Sequence, residues 1–120
     1  MPSPTAFALV AAGSAAGGVV RFALATWLDG RWAGFPVGTL LINLIGCVAI
    51  GWVGAAAGER EWVRWLVMTG LLGGFTTFSA FSWQALALMR DGRIGSALAY
   101  VALSLGLCLV GVWLGWLLGR

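Results

Sequence analysis

PVGTLLINLIGCVAIGWVGAAA, residues 36–57, places 22 consecutive positions without one charged side chain. Wound as an α-helix it rises about 1.5 Å per residue, and roughly 20 apolar residues suffice to cross the hydrocarbon core of a bilayer. The strands of a membrane β-barrel are shorter and alternate in polarity, and this run does not alternate. Pro36 falls at its start, where a missing amide proton costs no helical hydrogen bond. Outward on both sides the same pattern recurs in residues 5–28, 62–89 and 94–119. Short polar turns separate the four runs: Asp29-Gly30-Arg31, Gly58-Glu59-Arg60-Glu61 and Arg90-Asp91-Gly92-Arg93. Trp27, Trp32, Trp62 and Trp65 lie near the segment ends, where interfacial aromatics belong. The chain reads as an all-α integral membrane protein, one domain of four transmembrane helices in the lipid bilayer.

Composition agrees. Charged residues make up 9% of the chain and hydrophobic ones 61%, too little polar material to cover a soluble domain. The nineteen glycines show no Gly-x-y period and sit inside apolar runs, as membrane helices allow. Seven arginines against four acids are scattered, without the basic stripe that a nucleic-acid binder carries. No histidine is present, which removes imidazole acid–base chemistry and histidine metal sites. Cys47 and Cys108 both lie in apolar runs and read as small buried thiols. Residues 6–16 resemble the apolar core of a signal peptide, but no basic region precedes them and the run continues to Leu28. A first membrane helix is therefore expected there.

Small residues and charges speak to assembly. Gly13 with Gly17, Gly54 with Gly58 (and Gly46 on the same face, with Ile50 interrupting the row so that the contact surface there is broken), and Gly111 with Gly115 and Gly119 recur at helical spacing, predicting close helix contacts. With four spans, Arg60, Arg64 and Arg120 share one side of the membrane, against Arg31, Arg90 and Arg93 on the other. Glu59 and Glu61 balance Asp29 and Asp91 in the same way. The positive-inside rule then has almost nothing to act on, and an antiparallel homodimer of dual topology is the expected assembly.

A few polar groups sit where lipid should be. Arg21 lies about two turns inside the first segment; it either snorkels to the headgroups or draws an anion toward a vestibule. Thr39 and Asn43 are one turn apart on the second, and an amide there can glue helices or offer its protons to an anion. Tyr100, Ser104 and Cys108 make a stripe of donors on the fourth. In the third, Gly73-Gly74-Phe75-Thr76-Thr77-Phe78-Ser79-Ala80-Phe81-Ser82 concentrates two glycines and four hydroxyls at mid-span. That composition predicts a broken helix, whose freed carbonyls can coordinate a cation. Phe78 and Phe81 share a face; their rings either pack as core or turn electropositive edges toward an anion. No Asp, Glu or Lys lies deep in a segment, and no nucleophile–base set exists, so neither a proton-coupled exporter nor an enzyme is expected.

Three ordered motifs carry a resemblance: Gly18-x-x-Arg21, Gly38-Thr39-Leu40-x-x-Asn43-x-x-Gly46, and Gly73-Gly74-Phe75-Thr76-Thr77-Phe78-Ser79-x-Phe81. In these the chain resembles the Fluc/CrcB fluoride channels across all four spans. The resemblance implies a fluoride-selective channel in the bacterial inner membrane, exporting fluoride passively through two pores in a dual-topology homodimer. It implies Phe78, Phe81 and Asn43 as pore residues, with Thr39, Tyr100, Ser104 and Cys108 along a polar track. Cys108 departs from the hydroxyl residue expected there, and a thiol is the weaker donor. Arg21 would stand where anions enter, and the backbone carbonyls of Gly73 and Thr76 from both subunits would hold a structural sodium ion (Na+). Two other classes share the four short spans or the small-residue faces. A small dual-topology multidrug exporter requires a glutamate in the first segment, which residues 12–20 lack. A non-transporting membrane scaffold gives no reason for Asn43, the break and the donor stripe to coexist.

Overall fold

A computed structural model describes residues 1–32 and 34–120. It contains four helices long and apolar enough to span a membrane: α1 (Pro4–Leu28), α2 (Val37–Ala56), α3 (Glu61–Arg90) and α4 (Ile94–Gly119). The molecule measures 47 × 28 × 27 Å, its long dimension exceeding the roughly 30 Å of a hydrocarbon core. Local chemistry sets the ends. Ser3 accepts the Ala6 amide at 3.2 Å, capping α1 ahead of Pro4 in its first turn. At the far end of α3, Gly92 takes φ 75°, so the Arg93 amide reaches the Leu88 carbonyl and the Gly92 amide that of Met89. This paired closure needs a left-handed residue, which glycine adopts without strain.

α3 is broken at mid-span, as its composition predicts. Its first half is α-helical over Glu61–Val63, winds as a π-helix over Arg64–Leu72, and ends in the turn Gly73–Phe75. Thr76 and Thr77 are extended, and the helix restarts over Phe78–Arg90. The two threonines build the break. The Thr76 amide and hydroxyl both donate to the Leu72 carbonyl at 3.0 Å, closing the first half. Thr77 then caps the second half, its hydroxyl accepting the Ala80 amide at 3.2 Å. Nothing in the composition of residues 64–72 announced the π winding.

Glycines bring backbones together in two places. A Cβ on Gly13 or Gly17 of α1 would collide with the carbonyls of Leu66 or Leu71 in α3, and one on Gly74 with the backbone of Ser14. On the other side α2 and α4 run parallel, Gly111 meeting Leu44 and Val48, Gly115 meeting Val48 and Trp52, and Gly119 meeting Trp52. The glycine row expected on α2 is corrected. Its close contact with α4 is at Gly51, against Val112, whereas Gly54 meets only the Met68 methyl and Gly58 lies beyond the helix with φ 59°. Gly46 instead admits Thr76 and Phe75 of the break. The second half of α3 packs on α4 through Phe81, Ala85, Leu88, Ala97 and Tyr100, with Leu40 of α2 beside them. Much of the remaining apolar surface is uncovered, including Trp83, Leu109 and Trp113.

Candidate functional site

The break opens a cavity of about 380 Å³ between α2, α3 and α4. Asn43 and Cys47 line it from α2, Thr76 to Phe78 and Phe81 from α3, and Ser104 and Cys108 from α4. Its walls are largely apolar, and the polar groups in them are few and placed. Asn43 is tied to the break at two points: its Oδ1 accepts the Thr77 amide at 2.8 Å, and its Nδ2 donates to the Thr77 carbonyl at 3.1 Å. The extended residue thereby recovers from a side chain the pairing it loses from the helix. An amide has two protons, so one Nδ2–H is left after this pairing.

Other groups at the break are distributed by face. On the α1 side, Arg21 Nε donates to the Gly74 carbonyl at 3.2 Å. Arg21 thus holds the end of the first half of α3 and is not among the residues lining the cavity. The carbonyls of Gly73 and Thr76 accept no hydrogen bond among the described residues. Free carbonyl oxygens of this kind suit a hard cation such as sodium.

The two phenylalanines differ. Phe81 is buried, while Phe78 is 74% exposed on the single chain, and their ring centroids lie 5.4 Å apart at an interplanar angle of 47°. Beyond Phe81 the rings continue to Tyr100 at 5.1 Å and from there to Phe35 at 5.6 Å, edge to face. The α4 stripe divides around this stack. Ser104 and Cys108 face the cavity, whereas Tyr100 is fully buried on the other side of Phe81. Its hydroxyl donates to Gln84 Oε1 at 2.8 Å, and Thr39 lies beside the same hydroxyl. Gln84 reaches onward to a second hollow of about 320 Å³ at the end of the helices, lined also by Asp29, Trp32, Asp91 and Arg93. Gln84 was not singled out from the sequence. Its one signal there is position: an amide three residues after Phe81, on the same helical face.

One buried atom stands out. Ser104 Oγ is the only buried side-chain polar atom among the described residues with no hydrogen-bond partner, and its residue faces the cavity shared by Asn43, Phe78 and Phe81. Leaving such a group unpaired costs about 1–3 kcal/mol, so the atom calls for an explanation, such as a water or an ion.

Comparison with known proteins places this arrangement. The sequence profile of the CrcB-like protein, Camphor Resistance (CrcB) family matches residues 8–116. The chain belongs to the CrcB-like family. Among relatives within it, the fluoride-specific ion channel FluC of Roseiflexus sp. is 45% identical over 111 residues, covering 88% of this chain and 90% of that protein. That of Opitutus terrae is 48% identical over 113 residues, covering 88% and 86%. That of Thermus thermophilus is 42% identical over 120 residues, covering 94% and 92%. The CrcB-like match therefore spans all four membrane helices, and the break with its cavity lies well inside it.

Proposed function

We propose that this chain forms a fluoride-selective channel that lets the anion leave the cell down its electrochemical gradient. The observation that carries the reading is the unpartnered hydroxyl of Ser104, a residue that lines one cavity together with two phenylalanine rings and an asparagine with a spare amide proton. Fluoride is small and strongly hydrated, so a bare apolar pore rejects it. Hydroxyl, amide and ring-edge donors replace its water in successive weak contacts, which permits both arrival and departure. Fixed positive charge would trap the ion, and the cavity wall has none. The relatives' names, fluoride-specific ion channel, support the same reading.

In this account the anion passes from the end hollow by Gln84, Tyr100 and Thr39, along the edge of Phe81, to Ser104, Cys108, Asn43 and Phe78. None of these groups needs to change protonation, so no coupling ion is required. Arg21, bonded to the Gly74 carbonyl, raises the positive potential near the break without entering the cavity. The working unit is an antiparallel homodimer with two pores, one chain in each orientation. Phe78, exposed on the single chain, and the uncovered apolar faces are then shared with the partner or with lipid. The free carbonyls of Gly73 and Thr76 from both subunits would hold sodium, which fixes the two breaks together by its charge.

The test is anion release from liposomes loaded with fluoride or chloride and containing the purified chain. Fluoride should leave rapidly while chloride is retained. Equal release of both anions, or of neither, would overturn the proposal.

A further inference from the structure

α2 and α4 run parallel, and Gly51 of α2 abuts Val112 of α4 so closely that a Cβ would strike the Val112 carbonyl. One turn earlier on each helix this register sets Cys47 opposite Cys108. Both residues line the cavity of about 380 Å³. Both are free and partly accessible. A further turn along α4 lies Ser104, buried and without a partner in the same wall. Cys47 has no part in the account of fluoride passage, and Cys108 is a weaker donor there than a hydroxyl would be.

The geometry points to a second binding site: Cys47 and Cys108 together chelate a soft, thiophilic d10 cation of the copper(I), silver(I) or mercury(II) class. Thiolates select such ions, and they accept linear coordination by two sulfurs. Zinc is disfavoured, because it wants four ligands and no group of three or more His, Cys, Asp or Glu gathers among the described residues. The step balances. Neutral mercuric chloride forms two Hg–S bonds, each thiol gives its proton to the medium, and two chloride ions leave. The bridge ties α2 to α4 across the cavity one turn from Ser104, and so closes the route that the proposed function assigns to fluoride.

The experiment uses the purified full chain with mercuric chloride as probe. The parent should bind one mercury per chain and lose both titratable thiols together. Cys47→Ser and Cys108→Ser should each bind roughly tenfold or more weakly, because the second attachment is no longer intramolecular, and a simple monothiol should strip the metal from them. Two mercury ions per parent chain, or single variants that hold mercury as tightly as the parent, would overturn the site. A second arm reads fluoride release with and without mercury, each protein normalised to its own untreated rate. Mercury should abolish release through the parent and spare Cys47→Ser. Equal inhibition of both, or unaffected parent flux with the bidentate site filled, would overturn the closure. The flux arm rests on the proposed function; the binding arm does not, and it reads the site even in a chain that carries no fluoride.

Discussion

At Asn43, the side-chain carbonyl accepts the Thr77 amide proton and the side-chain amide donates to the Thr77 carbonyl, which leaves one proton for a passing anion. The sequence offered two readings of this residue, helix glue or anion donor, and the geometry allows both from a single amide. Asn43→Ala should therefore cost stability as well as flux. It strips two backbone groups of their partners, at about 1–3 kcal/mol each, and should lower the unfolding temperature of the purified protein. Unchanged stability would mean that Thr77 is satisfied some other way. The phenylalanines separate the same two effects. Isoleucine at Phe78 or Phe81 keeps much of the apolar bulk and removes the electropositive ring edge, so fluoride release should fall severely. Phe78 is mostly exposed on the single chain, so its replacement should leave the fold intact, while Phe81→Ala empties a buried site at about 3–5 kcal/mol. Methionine, flexible and polarizable, should do less harm than isoleucine at either position. Isoleucine variants that fold and conduct like the parent would remove both rings from the mechanism.

Helices and their junctions are where the sequence spoke clearly about some things and not others. Apolar run length and polar turns revealed four spans, and the Gly-Gly and Thr-Thr pairs revealed the break, because these are local properties of the chain. The pairing of Asn43 with Thr77, 34 positions away, was beyond local reading, as was the bond between Tyr100 and Gln84. Glycine spacing was only half informative. It located the seams at Gly13 and Gly17 and at Gly111 to Gly119, but on α2 the row Gly46, Gly54 and Gly58, broken at Ile50, left out Gly51, the position that meets α4. Spacing shows which residues share a face, and the partner decides which of them is pressed. Two neighbours on α1 test this. At Gly17 a Cβ would collide with the Leu71 carbonyl, whereas at Gly18 nothing lies within 4 Å. Gly17→Ala should therefore force α1 off α3 and lower thermal stability and flux together. Gly18→Ala should be tolerated, helped by the roughly 1 kcal/mol by which alanine exceeds glycine in a helix. Equal behaviour of the two would contradict the backbone-to-backbone seam.

For the whole molecule, the even division of the acids and of the six arginines near the span ends is the basis for proposing insertion in both orientations, and the uncovered apolar faces would give such chains surfaces to meet on. Tags on each terminus, probed for accessibility in cells, should be found on both sides of the membrane; a single uniform orientation would remove the antiparallel dimer. The central claim is passive, selective conduction of fluoride, and it follows from a cavity with donors but no deep carboxylate or lysine to carry a coupled proton. The most direct measurement is the zero-current voltage across a bilayer containing the purified protein, with a fluoride gradient imposed and chloride and pH equal on both sides. The account predicts a voltage at the equilibrium potential of fluoride, unmoved when a pH gradient is then added. A voltage near zero under the fluoride gradient, or one that follows the pH gradient, would contradict it.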